Sequence, residues 1–189
     1  MVQPPEQLVV WRRVDGPGHD ACGLWHTDDN WRLRGTAVFV LDGIPCWLDY
    51  EVCGNLSWRT RTARVTGWMG GQALDVRICL TADGRWRLNG NDQPAVAGCT
   101  DLDFSFTPAT NLIPLRRLGL AVGSEAQAAA AWLNLLGQRL DRLDQHYRRS
   151  GDDIYDYRAP SLDFSAALRV SHAGFITHYP GLWEMEALQ

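Results

Sequence analysis

The chain has 189 residues, room for one domain with a substantial core. Hydrophobic residues make up 46% of it and charged residues 21%, which excludes an intrinsically disordered chain. Its basic residues are 18 Arg and no Lys against 22 Asp and Glu; the net charge of −4 argues against a general nucleic-acid binder, which would carry a basic face.

The stretch MVQPPEQLVVWRRVDG has neither a basic n-region nor an apolar h-region, so no signal peptide is read there. No apolar run approaches the roughly 20 residues of a membrane span. A cytoplasmic protein without stable membrane insertion is expected. Cys22, Cys46, Cys53, Cys79 and Cys99 are then free thiols, four of them in strand-like apolar contexts.

Period-2 alternation dominates the first half. Strands are predicted over 8–14, 22–26, 33–41 and 46–52. In the last, Cys46, Leu48, Tyr50 and Val52 share one face, while Trp47, Asp49 and Glu51 share the other. Over 57–69, Arg59 and Arg61 point to one side and Thr60, Thr62, Arg64 and Thr66 to the other. Strands 74–81 and 85–88 flank Asp83-Gly84, a hairpin signal. Over 98–107, Leu102, Phe104 and Phe106 alternate with Asp101, Asp103, Ser105 and Thr107. A helical turn is placed over 111–118 with Thr110 as its N-cap. Ser124-Glu125-Ala126-Gln127 reads as a capping box opening an Ala-rich helix to Leu136, stopped by Gly137. The stretch 139–149 fits a helix or a strand. Strands follow over 154–158, 162–170 and 175–179.

No linker or repeat divides the chain, so residues 1–189 are read as a single domain. Short loops imply antiparallel pairing. The fold class expected is mainly β: a large curved antiparallel sheet or incomplete, unclosed β-barrel with one or two helices packed on the concave side.

Four constellations bear on chemistry. Asp101 and Asp103 lie two apart on a strand, roughly 6.5 Å by strand rise, and Asp49 and Glu51 repeat the spacing; paired carboxylates can do acid/base work on glycosidic bonds, yet on a solvated strand they are usually inert. Arg59, Arg61, Arg116 and Arg117 can hold phosphate, sulfate or carboxylate, or simply pair with acids. The nine Trp fill a wide sheet core or stack on sugar rings. Cys22 and His26, with His172 and His178, do not make a second pair at ligand spacing, so neither a metal nor a cofactor is expected; nucleophile and phosphate-loop motifs are missing.

Several segments are collinear: Tyr50-Glu51-Val52, Trp58-Arg59-Thr60-Arg61, Asp83-Gly84-Arg85-Trp86, Gly98-Cys99-Thr100-Asp101-Leu102-Asp103, Tyr179-Pro180-Gly181-Leu182-Trp183 and, most specific, T-P-x-T-N-x-x-P-x-R-R over 107–117. In this order they resemble the "putative glycolipid-binding" family of bacterial proteins, once a domain of unknown function, over nearly the whole chain. The resemblance implies a fold like that of lipoprotein-carrier proteins, an unclosed antiparallel barrel holding a lipid on its concave side. His172 stands where the family tends to carry an acidic residue before a turn glycine.

The expected function is therefore non-catalytic binding of a lipid-like or glycolipid-like small molecule, its tail on the apolar lining. Trp58, Arg59, Arg61, Asn111, Arg116 and Arg117 are candidates for the head group, with Asp101 and Asp103 beside them. One alternative is a hydrolase or transferase acting on a glycan or phosphorylated substrate through Asp101/Asp103 and Arg116/Arg117. Another is a structural or self-associating protein with no ligand, a homodimer pairing through an open sheet edge.

Overall fold

The structure, a computed structural model, describes residues 3–189; the first two residues of the stretch read for a leader lie outside it. The N-terminal meander comprises β1 (Gln7–Arg13), β2 (Gly18–His26), β3 (Asn30–Leu41), β4 (Ile44–Asn55), β5 (Thr60–Met69), β6 (Gln72–Leu80), β7 (Trp86–Leu88) and β8 (Asn91–Asp92). After β9 (Asp101–Phe104) and α1 (Leu112–Leu118), the one α-helix among the described residues, a second meander runs through β10 (Glu125–Asn134), β11 (Arg139–Arg149), β12 (Ile154–Ala159), β13 (Phe164–Val170), β14 (Ile176–Tyr179) and β15 (Trp183–Leu188).

All 15 strands join one sheet, ordered β8-β7-β6-β5-β4-β3-β2-β1-β15-β14-β13-β12-β11-β10-β9. The two meanders meet at β1 and β15, whose antiparallel pairing puts the chain ends side by side in mid-sheet. The sheet is not closed into a barrel. Its ends, β8 and β9, are bridged by the strap between them. Trp86 Nε1 donates to Cys99 O (3.0 Å), the Leu140 amide to Gln93 Oε1 (3.3 Å), and Arg142 Nη1 to Ala97 O (3.3 Å).

Three expectations change. The Ala-rich run is strand β10, not a helix. It pairs antiparallel with β11 through Ala130↔Leu143 and parallel with β9 through Ala130↔Asp101. Helix propensity favours Ala by only tenths of a kcal/mol per residue, less than two ladders and a buried face return. The β9–β10 pair is parallel, because the connection between them is long and contains α1, as a parallel crossover requires. The ambiguous stretch is strand β11. Thr110 does not cap α1: its Oγ1 accepts from the Phe104 amide (3.1 Å), while Thr107 Oγ1 takes the Ala109 amide (3.0 Å).

The inner face of the sheet is packed by the chain itself. Phe106 stacks on Phe39 (5.9 Å, 4°), Phe104 meets Tyr50 edge-on (6.1 Å, 81°), and Leu112 and Ile113 are fully buried. Trp11, Trp31 and Trp86 are buried on the same side as this core. The lining expected to receive a lipid tail is thus occupied by residues 104–115.

A candidate ligand-binding site at the end of helix α1

The specific 107–117 block builds a turn and then α1, which ends at Gly119 in the left-handed conformation (φ 53°), its amide donating to Leu115 O (3.2 Å). Arg116 and Arg117 lie in the last helical turn, where the helix dipole favours cations. The two then diverge.

Arg117 turns inward to Asp101. Its Nε and Nη2 donate to the two carboxylate oxygens at 2.7 Å each, and Asp101 is 1% exposed. The hydrogen bonds it donates to Asp101, outweighing burial, hold Arg117 firmly charged. Each group satisfies the other, so neither is free for a substrate, and the pair of carboxylates needed for glycoside hydrolysis is broken up.

Arg116 turns outward and has no carboxylate partner among the described residues. Its guanidinium lies over Trp58, 5.6 Å from the ring centre. Trp58 occupies the β4–β5 turn at φ 58°, an unusual conformation for a bulky residue. There it stacks on Trp31 (5.0 Å, 17°), with His26 at its edge (5.7 Å, 76°). The sequence neighbours Arg59 and Arg61 do not join them. A bulge between Cys53 and Gly54 shifts the register opposite Thr60 and Thr62, so Arg61 and Thr62 both face outward and the predicted alternation fails. Arg61 lines a separate outer hollow with Trp25 and Arg32.

Beside Arg116 a cleft of about 280 Å³ is lined by Leu115, Leu120, Arg149, Tyr155, Val170 and His172, among others. Arg149 is anchored through backbone carbonyls, donating to Asp152 O (2.7 Å) and Leu120 O (2.9 Å), and lies over Tyr155. One tethered and one free guanidinium, in a cleft that carries Asp152 and Ser171 besides Leu120 and Val170, can hold an anionic or hydroxyl-rich group with a small apolar part beside it.

Inward from the cleft wall, β11 and β12 present a polar cluster. Gln145 Nε2 donates to Asp103 Oδ2 (2.9 Å) and to the Tyr157 hydroxyl (3.2 Å), and Asn111 Nδ2 to the Tyr147 hydroxyl (3.4 Å). Tyr157 packs between Tyr147 (5.1 Å) and Tyr179 (6.0 Å). Burial pushes Asp103 up to about 6, against the Gln145 hydrogen bond and helped by the charge of Asp101. Burial likewise pushes all three tyrosines up, so they remain neutral hydroxyls. Gln145 Oε1 has no protein partner although Gln145 is 2% exposed, an open acceptor in a cluster otherwise paired.

Sequence reasoning reached Trp58, Asp103, Asn111 and Arg116 of this region and missed Gln145, Tyr147, Arg149, Tyr155 and Tyr157. The signal was the period-2 set Leu143, Gln145, Tyr147, obscured because its central member is polar. Among the described residues no group of three or more His, Cys, Asp or Glu is placed to hold a metal, and no helix is long and apolar enough to cross a membrane.

The family model described as putative glycolipid-binding matches residues 8–185. No curated protein matches the chain. Among solved structures, it is similar to a DUF1089 family protein from Pseudomonas aeruginosa, 29% identical with a TM-score of 0.74, over 87% of this chain and 91% of that one.

Proposed function

Because the chain belongs to the "putative glycolipid-binding" family, we propose that it is a non-catalytic binder of a lipid-like ligand with an anionic or sugar head, taken up at the end of α1. The observation that carries this reading is Arg116: a guanidinium without a carboxylate partner, resting on an indole beside a largely polar cleft that Leu115, Leu120 and Val170 line in part. The packed inner face supports that cleft over the interior of the sheet as the place of binding. The head group lies against Arg116 and Arg149, and the hydrocarbon part along Leu115, Leu120, Tyr155 and Val170. The alternative of acid/base hydrolysis loses its second carboxylate to the Asp101–Arg117 pair.

Native mass spectrometry of freshly purified protein, followed by organic extraction, tests this. A retained lipid-like species is expected, with occupancy falling roughly tenfold in Arg116→Ala, as loss of a charged hydrogen-bond donor implies. No retained species, or equal retention by the variant, overturns it.

A further inference from the structure

The outer face of the sheet carries an aromatic row remote from α1. Across β3, β4, β5 and β6, Val38 pairs with Trp47, Trp47 with Trp68, and Trp68 with Ala73. Trp47 is 53% exposed and Trp68 49%. Trp58 is covered by Trp31 and Arg116, and Trp25 lies under Arg32; the two outer indoles are the most exposed aromatic side chains among the described residues.

Two residues along each strand, roughly 7 Å away, runs a second row: Thr36, Asp49, Thr66 and Asp75, each opposite the next. Asp75 is engaged by Arg64 and Arg77. Asp49 is not. The Thr36 hydroxyl donates to its Oδ1 (2.5 Å), which orients the carboxylate, while Oδ2 has no protein partner among the described residues. An exposed pair of indoles beside an oriented, open acceptor is the chemistry that recognises a sugar ring. The polarised C–H bonds of the ring meet the negative π face, and its hydroxyls donate to the carboxylate.

The same features disfavour other occupants. The exposed parts of the two indoles add up to about one whole side chain, at most roughly 250 Å², against about 800 Å² per partner in a standard protein interface. Arg34, Arg64 and Arg77 share this face with Asp49, Glu51 and Asp75, a mixed surface without the run of basic residues that an anionic membrane selects.

We propose that the outer face of β3–β6 is a saccharide platform for a neutral glycan, with pyranose rings stacked on Trp47 and Trp68 and a hydroxyl bound by Asp49. It does not depend on the α1 cleft. The test is titration of the full chain, followed by Trp fluorescence and calorimetry, with neutral α- and β-linked hexasaccharides of glucose and of N-acetylglucosamine. At least one should give a saturable change, weakened roughly tenfold in Trp47→Ala and in Trp68→Ala and reduced in Asp49→Asn. These outer side chains leave the core intact, so thermal midpoints of the variants report folding separately. No saturable change with any of the sugars at millimolar concentration, or a change the Trp47→Ala/Trp68→Ala double variant preserves, overturns the proposal. So does Trp-dependent binding to phosphatidylcholine vesicles, or Trp-dependent dimerisation, without saccharide binding.

Discussion

Asp20 on β2 is 1% exposed, and its Oδ2 accepts hydrogen bonds from the hydroxyls of Tyr50 (2.9 Å) and Thr107. Burial raises its pKa to about 7, more than the two hydroxyls lower it. The folded state therefore keeps a proton that the unfolded state, with an ordinary carboxyl near 3.8, gives up. Where the unfolded state binds fewer protons, stability falls as pH rises. The contribution of Asp20 is thus lost between about pH 4 and pH 7 and levels off above, once both states are ionised. In calorimetry, the thermal midpoint of the wild type should drop between pH 4.5 and 7.5, and that of Asp20→Asn should drop less; equal slopes would contradict the assignment. The same burial pushes the Cys22 thiol up, with the charge of Asp20 adding, which makes it an inert core residue, as a buried free cysteine should be. At this scale the sequence was readable for residue type: Trp86 and Trp183 fill the core as their segments suggested. It was not readable for partners. Arg116 and Arg117 are adjacent, yet one pairs with Asp101 and the other stacks on Trp58.

Among elements, β10 and β11 show where local preference yields to pairing. A capping box and a run of Ala favour a helix only locally. With β9 on one side and β11 on the other, small side chains are instead what let the strand lie buried, with Ala128, Ala130 and Ala131 at 4%, 1% and 0% exposure. The exposed Gln127, opposite His146, distinguishes the two states. In a strand Gln127→Thr should be neutral or stabilising by up to about 1 kcal/mol; in a helix it would cost about 0.5 kcal/mol. Urea denaturation read at constant m-value decides between them. The strand β9 is covered on both sides, with Asp103 alone partly exposed. Asp101 and Asp103 face α1 and β11, while Phe104 meets Tyr50 of β4. Its alternation was legible, but not that its acidic face is covered too.

For the whole molecule, the strap from β8 to β9 and the pairing of β1 with β15 couple the two meanders into one body. A single calorimetric transition is expected, with an enthalpy of about 130 kcal/mol at roughly 0.7 kcal/mol per residue and equal to the van't Hoff value. Two transitions, or a ratio near two, would mean that the meanders fold as separate domains. The sheet ends offer little for self-pairing: β8 is two residues long, Asn91–Asp92, and β9 is buried beneath α1 and β4.

The sequence by itself determined the mainly β class, most strands of both meanders, the short helix after Thr110 and the family, because alternation, turn chemistry and motif order are local properties of the chain. Tertiary structure alone decided that the Ala-rich run is a strand, that β9 and β10 run parallel, and that residues 104–115 fill the inner face. It also decided the contacts around the site, since Arg116 reaches Trp58 and Asp103 reaches Gln145 only after the strap has carried the chain from one end of the sheet to the other. Which residues meet there depends on register and on that crossing, and neither is encoded in the spacing of neighbouring residues.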